Sequence, residues 1–370
     1  MTSGGPPEQP FGRFCRMSKR ASFLRLIYAT CAVLVSLGMS FRPIPDVSAP
    51  NDTGRYVANQ LQACALPPLG SSSVIHDSSV ILHSAWGSVI AAGNPALPLT
   101  WRAFDLLMRP ACAVKEPYFF LFCTAMAIPL ALLFFADWDQ EAVFLVAIAL
   151  LFSTVGFEFM NNALREGVAL AFLLGGLFFE KRLPKVIAIV AAVILHDAIL
   201  LLLPMVLMLA YRSGILKRKD IFWGAPLLLA LSIFVMYERV FSGFNSEDLS
   251  EAFTRYSGTY SQESSAAFLL FIIFPFVAIF LIRFFWPTHE VATPELISFW
   301  YFTVLLLASM IIAPAGTYRI AMDATIIQAF VTMRSPRLSV QAAATIAWCL
   351  VMHFIIYAVI SKSVVQLFSG

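Results

Sequence analysis

The chain has 370 residues, 59% of them apolar and only 13% charged, and its mean hydropathy of +0.80 excludes an ordinary soluble domain. A formal charge of +3 with a pI near 8.5 is too mild to point to nucleic acid, and in a membrane protein it reports basic residues on the cytoplasmic face. At about 20 apolar residues per crossing, the length accommodates about ten helical crossings in one polytopic, all-α transmembrane bundle.

Residues 1–25 form a polar, basic cytoplasmic N-terminus, where Arg13, Arg16, Lys19 and Arg20 precede the apolar run Leu26 to Phe41. This pattern predicts an uncleaved signal anchor, with a single membrane domain over 26–370. Residues 42–117 follow as a long extracytoplasmic segment, in which Pro43, Pro45, Pro50, Pro67, Pro68, Pro95 and Pro98 forbid one crossing helix. Within it, Ser78 to Ala92 with His83, and Trp101 to Met108 with Arg102 and Asp105, suit short helices at the outer interface. Cys64 and Cys112 share this segment, where an oxidising compartment would allow them to pair. Cys31, Cys123 and Cys349 sit in apolar runs and read as packing residues.

The later spans are Tyr118 to Ala136, Ala142 to Phe157, Ala163 to Phe179, a divided run from Val186 to Ala210, Ile221 to Val240, Ala266 to Trp286, Ile297 to Ala313, Arg319 to Met333 and Gln341 to Ile360. As one straight helix, the divided run would be about 37 Å long and would cross the membrane. Charge opposes that, because Lys181, Arg182 and Lys185 precede the run, Arg212, Lys217, Arg218 and Lys219 follow it, and both clusters belong inside. Two half-helices meeting at His196-Asp197 resolve the conflict, with Asp197 capping the second. The alternative is one long helix with a buried, satisfied histidine. With the hairpin, nine full spans and two half-helices result, around a cavity open to the outside. Residues 241–264 then form a second extracytoplasmic loop, the loop Arg283 to Glu295 is inside, and the C-terminus is outside.

Arg165, His196 and Arg319 fall at membrane-embedded positions near the outer face, where ionisable groups are costly and point to function. Two guanidinium groups suit a diphosphate, whose oxygens match their planar donor forks. The local alternative pairs Arg165 with Glu158 or Asp105 and Arg319 with Asp323, or lets each arginine snorkel. Asp52, Arg55 and Tyr56 in Asn-Asp-Thr-Gly-Arg-Tyr, and Arg255, Tyr256 and Tyr260 in Thr-Arg-Tyr-Ser-Gly-Thr-Tyr, mix aromatic and polar groups as a sugar surface requires, though exposed loops carry the same residues for solvation alone. Tyr318, beside Arg319, joins the candidate substrate-binding residues, and His353 reads as a packed or hydrogen-bonded histidine. No P-loop, metal-ligand spacing or GxSxG occurs, which removes support for ATP-driven transport, metal-dependent sugar transfer and serine hydrolysis; no metal or cofactor is expected.

The stretch from Asn162-Ala-Leu-Arg-Glu-Gly through Glu180-Lys-Arg-Leu-Pro-Lys to Val193-Ile-Leu-His-Asp-Ala resembles the EpsG-like branch of the Wzy-type polysaccharide polymerases. The likeness extends more weakly to Asp52 to Tyr56, Trp101 to Phe135 and Tyr318-Arg319. It departs at Asp197, where a small residue such as Ser is expected. The resemblance implies an enzyme of the bacterial inner membrane that joins polyprenyl-diphosphate-linked oligosaccharide repeats, with a chain-length regulator protein as a partner. Arg165 and Arg319 would then stabilise the departing diphosphate, and His196 would be the base for the attacking hydroxyl, with Glu158, Glu166 and Asp197 as competitors. A lipid-linked sugar flippase and a membrane-bound acyltransferase are the rival readings; the first lacks the internal repeats it would show.

Overall fold

The computed structural model describes residues 19–42, 53, 54, 56, 57, 60, 64, 99–113, 117–179, 182–206, 266–286, 293–312, 314–335 and 338–360. Every regular element among them is helical. In chain order these are α1 (Lys19–Ser40), α2 (Leu99–Met108), α3 (Pro117–Ala125), α4 (Ala127–Phe135), α5 (Glu141–Leu151), α6 (Thr154–Asn161), α7 (Leu164–Phe178) and α8 (Arg182–Leu195). After a 3-10 turn at Asp197–Leu202 come α9 (Ala266–Phe285), α10 (Thr293–Ile312), α11 (Pro314–Met333) and α12 (Val340–Ile360). The expected segments Ser78 to Ala92, Ile221 to Val240 and 241–264 lie outside the described residues.

By length and apolarity, three described stretches can cross a bilayer: α1, Pro117–Phe135 and Val340–Val359. A fourth is α5 with α6, bent by 53°. Shorter apolar stretches run over Leu183–Leu195, Leu269–Phe285 and Pro294–Met310. The described residues therefore form an all-helical membrane bundle with three or four such spans, where hydropathy predicts nine. α7, with 15 residues, is too short to count among them, and α11 is made too polar by Arg319, Asp323 and Gln328.

Those polar helices occupy the centre. α6 is buried at all its positions, and so are residues 163–170 at the start of α7 and 321–333 of α11. Apolar side chains such as Leu26, Leu183, Val304 and Trp348 point outward, as a lipid-facing surface requires. α7 packs on α8, α10 on α11, α5 on α12, α9 on α11 and α1 on α3 and α5. Contacts at the helix ends sort into two layers. In one, Phe41 meets Tyr118, Arg42 meets Met160 and Arg319 meets Glu166. In the other, Arg20 meets Glu141, Arg334 meets the Phe135 carbonyl and Arg283 meets Glu295. Counting α3 with α4 and α5 with α6 as single spans, successive spans from α3 to α8 run in alternate directions between these layers.

The bend between α5 and α6 has a local cause. Ser153 caps α6, accepting from the Gly156 amide at 3.0 Å and donating to the Leu150 carbonyl at 2.8 Å. A Cβ on Gly156 would stand 2.0 Å from the Leu150 oxygen, so only glycine permits this close turn. Between α7 and α8 the chains also approach closely, since a Cβ on Gly176 would come within 2.5 Å of Ile189 Cγ1.

The helix does break at His196, as charge balance requires, but the cap differs from the expected one. His196 itself is the N-cap of the 3-10 turn, and its Nδ1 accepts from the Ala198 amide at 3.3 Å. Asp197 is the first residue inside that turn rather than its cap. The expected start of a span at Arg319 also shifts, because α11 begins at Pro314 and places Arg319 in its second turn.

The structure decides the open question of Cys64 and Cys112 and meets the expectation for His353. Cys64 and Cys112 form a disulfide, and Gln60 beside them donates to the Met108 carbonyl at 3.1 Å. Cys31, Cys123 and Cys349 are free thiols. His353 is hydrogen-bonded within the bundle, to Thr154 through Nδ1 at 2.8 Å and to the Phe271 carbonyl through Nε2 at 2.9 Å, and its ring stacks on Phe271.

Candidate functional site

The site is built where α6 hands over to α7. The last turn of α6 leaves carbonyls without helical partners. Arg42, just past the end of α1, supplies donors to them: Nη1 to the Met160 carbonyl at 3.1 Å and Nη2 to the Asn161 carbonyl at 3.0 Å. The same guanidinium reaches Met39 O at 2.6 Å and Thr53 Oγ1 at 3.1 Å. Burial pulls the Arg42 guanidinium down to about 10, which still leaves it charged at neutral pH. Arg42 thus screens the negative end of α6 from the start of α7, where Arg165 and Glu166 follow.

Arg165 is 6% exposed and Glu166 1% exposed. Glu166 accepts from Arg319 Nη1 at 3.0 Å across the α7–α11 contact. Asp323, one turn beyond Arg319 on the same face of α11, lies in the electrostatic field of both Glu166 and Arg319. Its Oδ1 is buried and accepts no hydrogen bond among the described residues. Arg319 keeps a quarter of its side chain exposed and is the most accessible member of the group.

Glu158 belongs to the same layer, but both its oxygens are engaged. Oε1 accepts from the Tyr357 hydroxyl at 2.6 Å and Oε2 from Asn162 Nδ2 at 2.8 Å, and Tyr318 hydrogen-bonds to the same carboxylate. This carboxylate joins α6 to α11 and α12.

His196 reaches this layer by topology. α7 and α8 pack together and run in opposite directions, and each covers about 20 Å from its first to its last residue. α8 therefore returns the chain to the level of Arg165, where His196 is 7% exposed.

The structure brings Arg165, Glu166, Glu158, Tyr318, Arg319, Asp323 and His196 to one end of the bundle. It gives the local pairing of Arg319 to Glu166 instead of Asp323. Tyr56 is only 2% exposed and packs its ring against Phe104, so it presents no open face to a sugar. The side chain of Asp197, and Asp52, Arg55, Arg255, Tyr256 and Tyr260, lie outside the described residues. Sequence reasoning missed Arg42, Asn162 and Tyr357. Arg42 carried a signal, since on the expected topology it is a basic residue at the outer end of the first span, against the positive-inside rule. Asn162 and Tyr357 carried none.

Among the described residues, no three His, Cys, Asp or Glu side chains converge as metal ligands. What the arrangement offers is two guanidinium groups near the start of α7, whose amide dipoles add positive potential there. Such a surface binds and stabilises phosphate oxygens.

The EpsG family's sequence signature matches residues 102–368, and the chain belongs to that family. It is a membrane protein of the polysaccharide-polymerase kind. No curated protein and no solved structure matches it.

Proposed function

We propose that this EpsG-family protein is a glycosyltransferase that polymerises polyprenyl-diphosphate-linked oligosaccharide repeats at the outer face of the bacterial inner membrane. The observation that carries this reading is the gathering of Arg165 and the Arg319–Glu166 pair in one buried layer at the end of the bundle. A lipid-linked diphosphate lies at that depth, with its tail in the bilayer and its sugar in the aqueous phase. The Cys64–Cys112 disulfide supports assigning this layer to the oxidising side, because Tyr56 and Thr53 tie the same segment to Phe104 and Arg42. On that assignment the N-terminus is cytoplasmic.

In the reaction, a hydroxyl of the acceptor repeat attacks the anomeric carbon of the growing chain. The bond from that carbon to the phosphate oxygen breaks, and polyprenyl diphosphate departs with the electron pair. Arg165 and Arg319 stabilise the charge that develops on the departing diphosphate, the step where fixed donors lower a barrier most. The diphosphate competes with Glu166 for Arg319. Neither arginine loses its proton, so this stabilisation needs no metal ion.

Purified protein in liposomes, supplied with lipid-linked oligosaccharide alone, tests the reading. Saccharide longer than one repeat is expected. Translocated but unextended lipid would establish a flippase instead, and no change in the presence of the substrate would refute both. Arg165→Ala should abolish extension at unchanged protein level; polymer of normal length from that variant would refute the role given to Arg165.

A further inference from the structure

His196 is a natural candidate for a base, yet its geometry commits it otherwise. The Ala198 backbone amide points at Nδ1 from 3.3 Å. A backbone N–H can only donate, so Nδ1 must present its lone pair. The neutral ring then carries its proton on Nε2 and is a donor at that atom. Taking a proton at Nε2 would require the ring first to move its own proton to Nδ1, which would set two N–H groups against each other and break the cap of the Asp197–Leu202 turn. That turn is held from a second side, because the Tyr301 hydroxyl donates to the Leu201 carbonyl. It also packs against α7.

We infer that His196 serves as a fixed Nε2–H donor to the diphosphate of the lipid-linked substrate, oriented by the cap it makes through Nδ1. This rests on the polymerase reading, and it adds a third donor to Arg165 and Arg319. The three come from α7, the end of α8 and α11, so that they approach a ligand at this level from different helices. The ring begins and ends the reaction neutral. The acceptor oxygen bonds to the anomeric carbon, the carbon–phosphate-oxygen bond breaks, and the hydroxyl proton passes to the departing diphosphate, whose oxygens take it.

Two substitutions separate the cap from the donor. Asn is a strong N-cap, so His196→Asn keeps an acceptor near the position of Nδ1 and leaves nothing at the position of Nε2. Gln is longer, so His196→Gln places an amide N–H near the position of Nε2. The measurement is the affinity of the purified full-length chain for farnesyl diphosphate, with thermal unfolding of each variant alongside. His196→Asn should melt with the wild type and bind about 10-fold more weakly, the loss of one charge-assisted hydrogen bond. His196→Gln should recover most of that loss, to within about 3-fold of the wild type. Wild-type affinity in His196→Asn would overturn the inference. So would equal losses in the two variants when both melt as the wild type does. A wild-type chain that does not bind farnesyl diphosphate would refute the polymerase reading itself, and with it the role given to His196.

Discussion

Removing Arg319 should have two consequences that a second substitution can pull apart. Arg319→Met takes from the carboxylate of Glu166, which is 1% exposed, its 3.0 Å cationic partner. Breaking a fully buried ion pair from one side costs about 3–5 kcal/mol, and the 25% exposure of the Arg319 side chain reduces this to about 2 kcal/mol through solvent screening. Replacing both partners, as Arg319→Met with Glu166→Leu, removes that carboxylate and should return most of that stability. Asp323 remains one turn away, so the return is incomplete. Chain extension behaves differently. Loss of two charge-assisted hydrogen bonds to a diphosphate is worth about 3–5 kcal/mol of transition-state stabilisation, or about 150- to 5,000-fold in kcat/KM. The double variant should therefore melt near the wild type while extending lipid-linked oligosaccharide no better than Arg319→Met. Thermal unfolding in detergent and gel analysis of polymer length read the two effects. Recovery of extension together with stability would refute the argument and make Arg319 a structural residue. Glu166→Gln completes the set: with Arg319 released from a charged competitor, affinity for farnesyl diphosphate should rise, and a fall would contradict the competition.

Other sites give independent expectations. Gly156→Ala forces a methyl group against the Leu150 carbonyl and should destabilise the chain by about 2 kcal/mol or more, seen as a lower melting temperature and displaced Glu158 contacts. Tyr357→Phe leaves Glu158 Oε1 without its 2.6 Å donor and should cost about 1–3 kcal/mol in the same melt. The fully buried Arg283–Glu295 pair, with Ser335 on Arg283 Nη2 at 2.8 Å, lies at the opposite end of the bundle from the arginine site. Glu295→Gln should cost about 3 kcal/mol or more in stability while preserving farnesyl diphosphate affinity in the molecules that remain folded. Reduction of Cys64–Cys112, which closes a sequence separation of 48, should lower stability by about 4 kcal/mol on the chain-entropy account, and the freed thiols should react with a membrane-impermeant maleimide added outside intact spheroplasts.

The class of fold was legible because composition alone demands helices buried in lipid, and several ends were placed within a residue or two. α7 runs Leu164–Phe178 where hydropathy gives Ala163 to Phe179, and α12 begins at Val340 where it gives Gln341. The misplacements have particular causes. Ala142 to Phe157 reads as one apolar run, since a sliding pattern cannot register that Ser153 bonds both to Leu150 and to Gly156 and so bends the chain by 53°. The start of α11 was set too late because hydropathy rises only after Arg319, although proline is favoured in the first turn of a helix and Pro314 opens this one. The break at His196 was foreseen from lysines and arginines well outside it. Its chemistry was not, because the choice between His196 and Asp197 as cap depends on a ring rotamer.

The site shows a sharper version of the same division. That Arg165 and Arg319 are costly where they stand could be read from their depth in the chain, since an arginine within an apolar run is expensive to bury. Which carboxylate each would meet could not be read. Arg319 has Asp323 four residues ahead, the spacing at which helical side chains pair, and it bonds instead to Glu166, 153 positions away. That bond forms where the start of α7 meets α11, and there Asp323 Oδ1 is buried with no donor among the described residues. Tyr56 illustrates the converse error. Its place at the end of the polar stretch Asn51 to Arg55 suggested a sugar platform, but a tyrosine next to a disulfide-tied segment has an apolar partner within reach, and Phe104 takes it at a ring separation of 5.9 Å. Local sequence therefore identified the groups too costly to be accidental. The long-range partner of Arg319 was fixed only by how the helices come together.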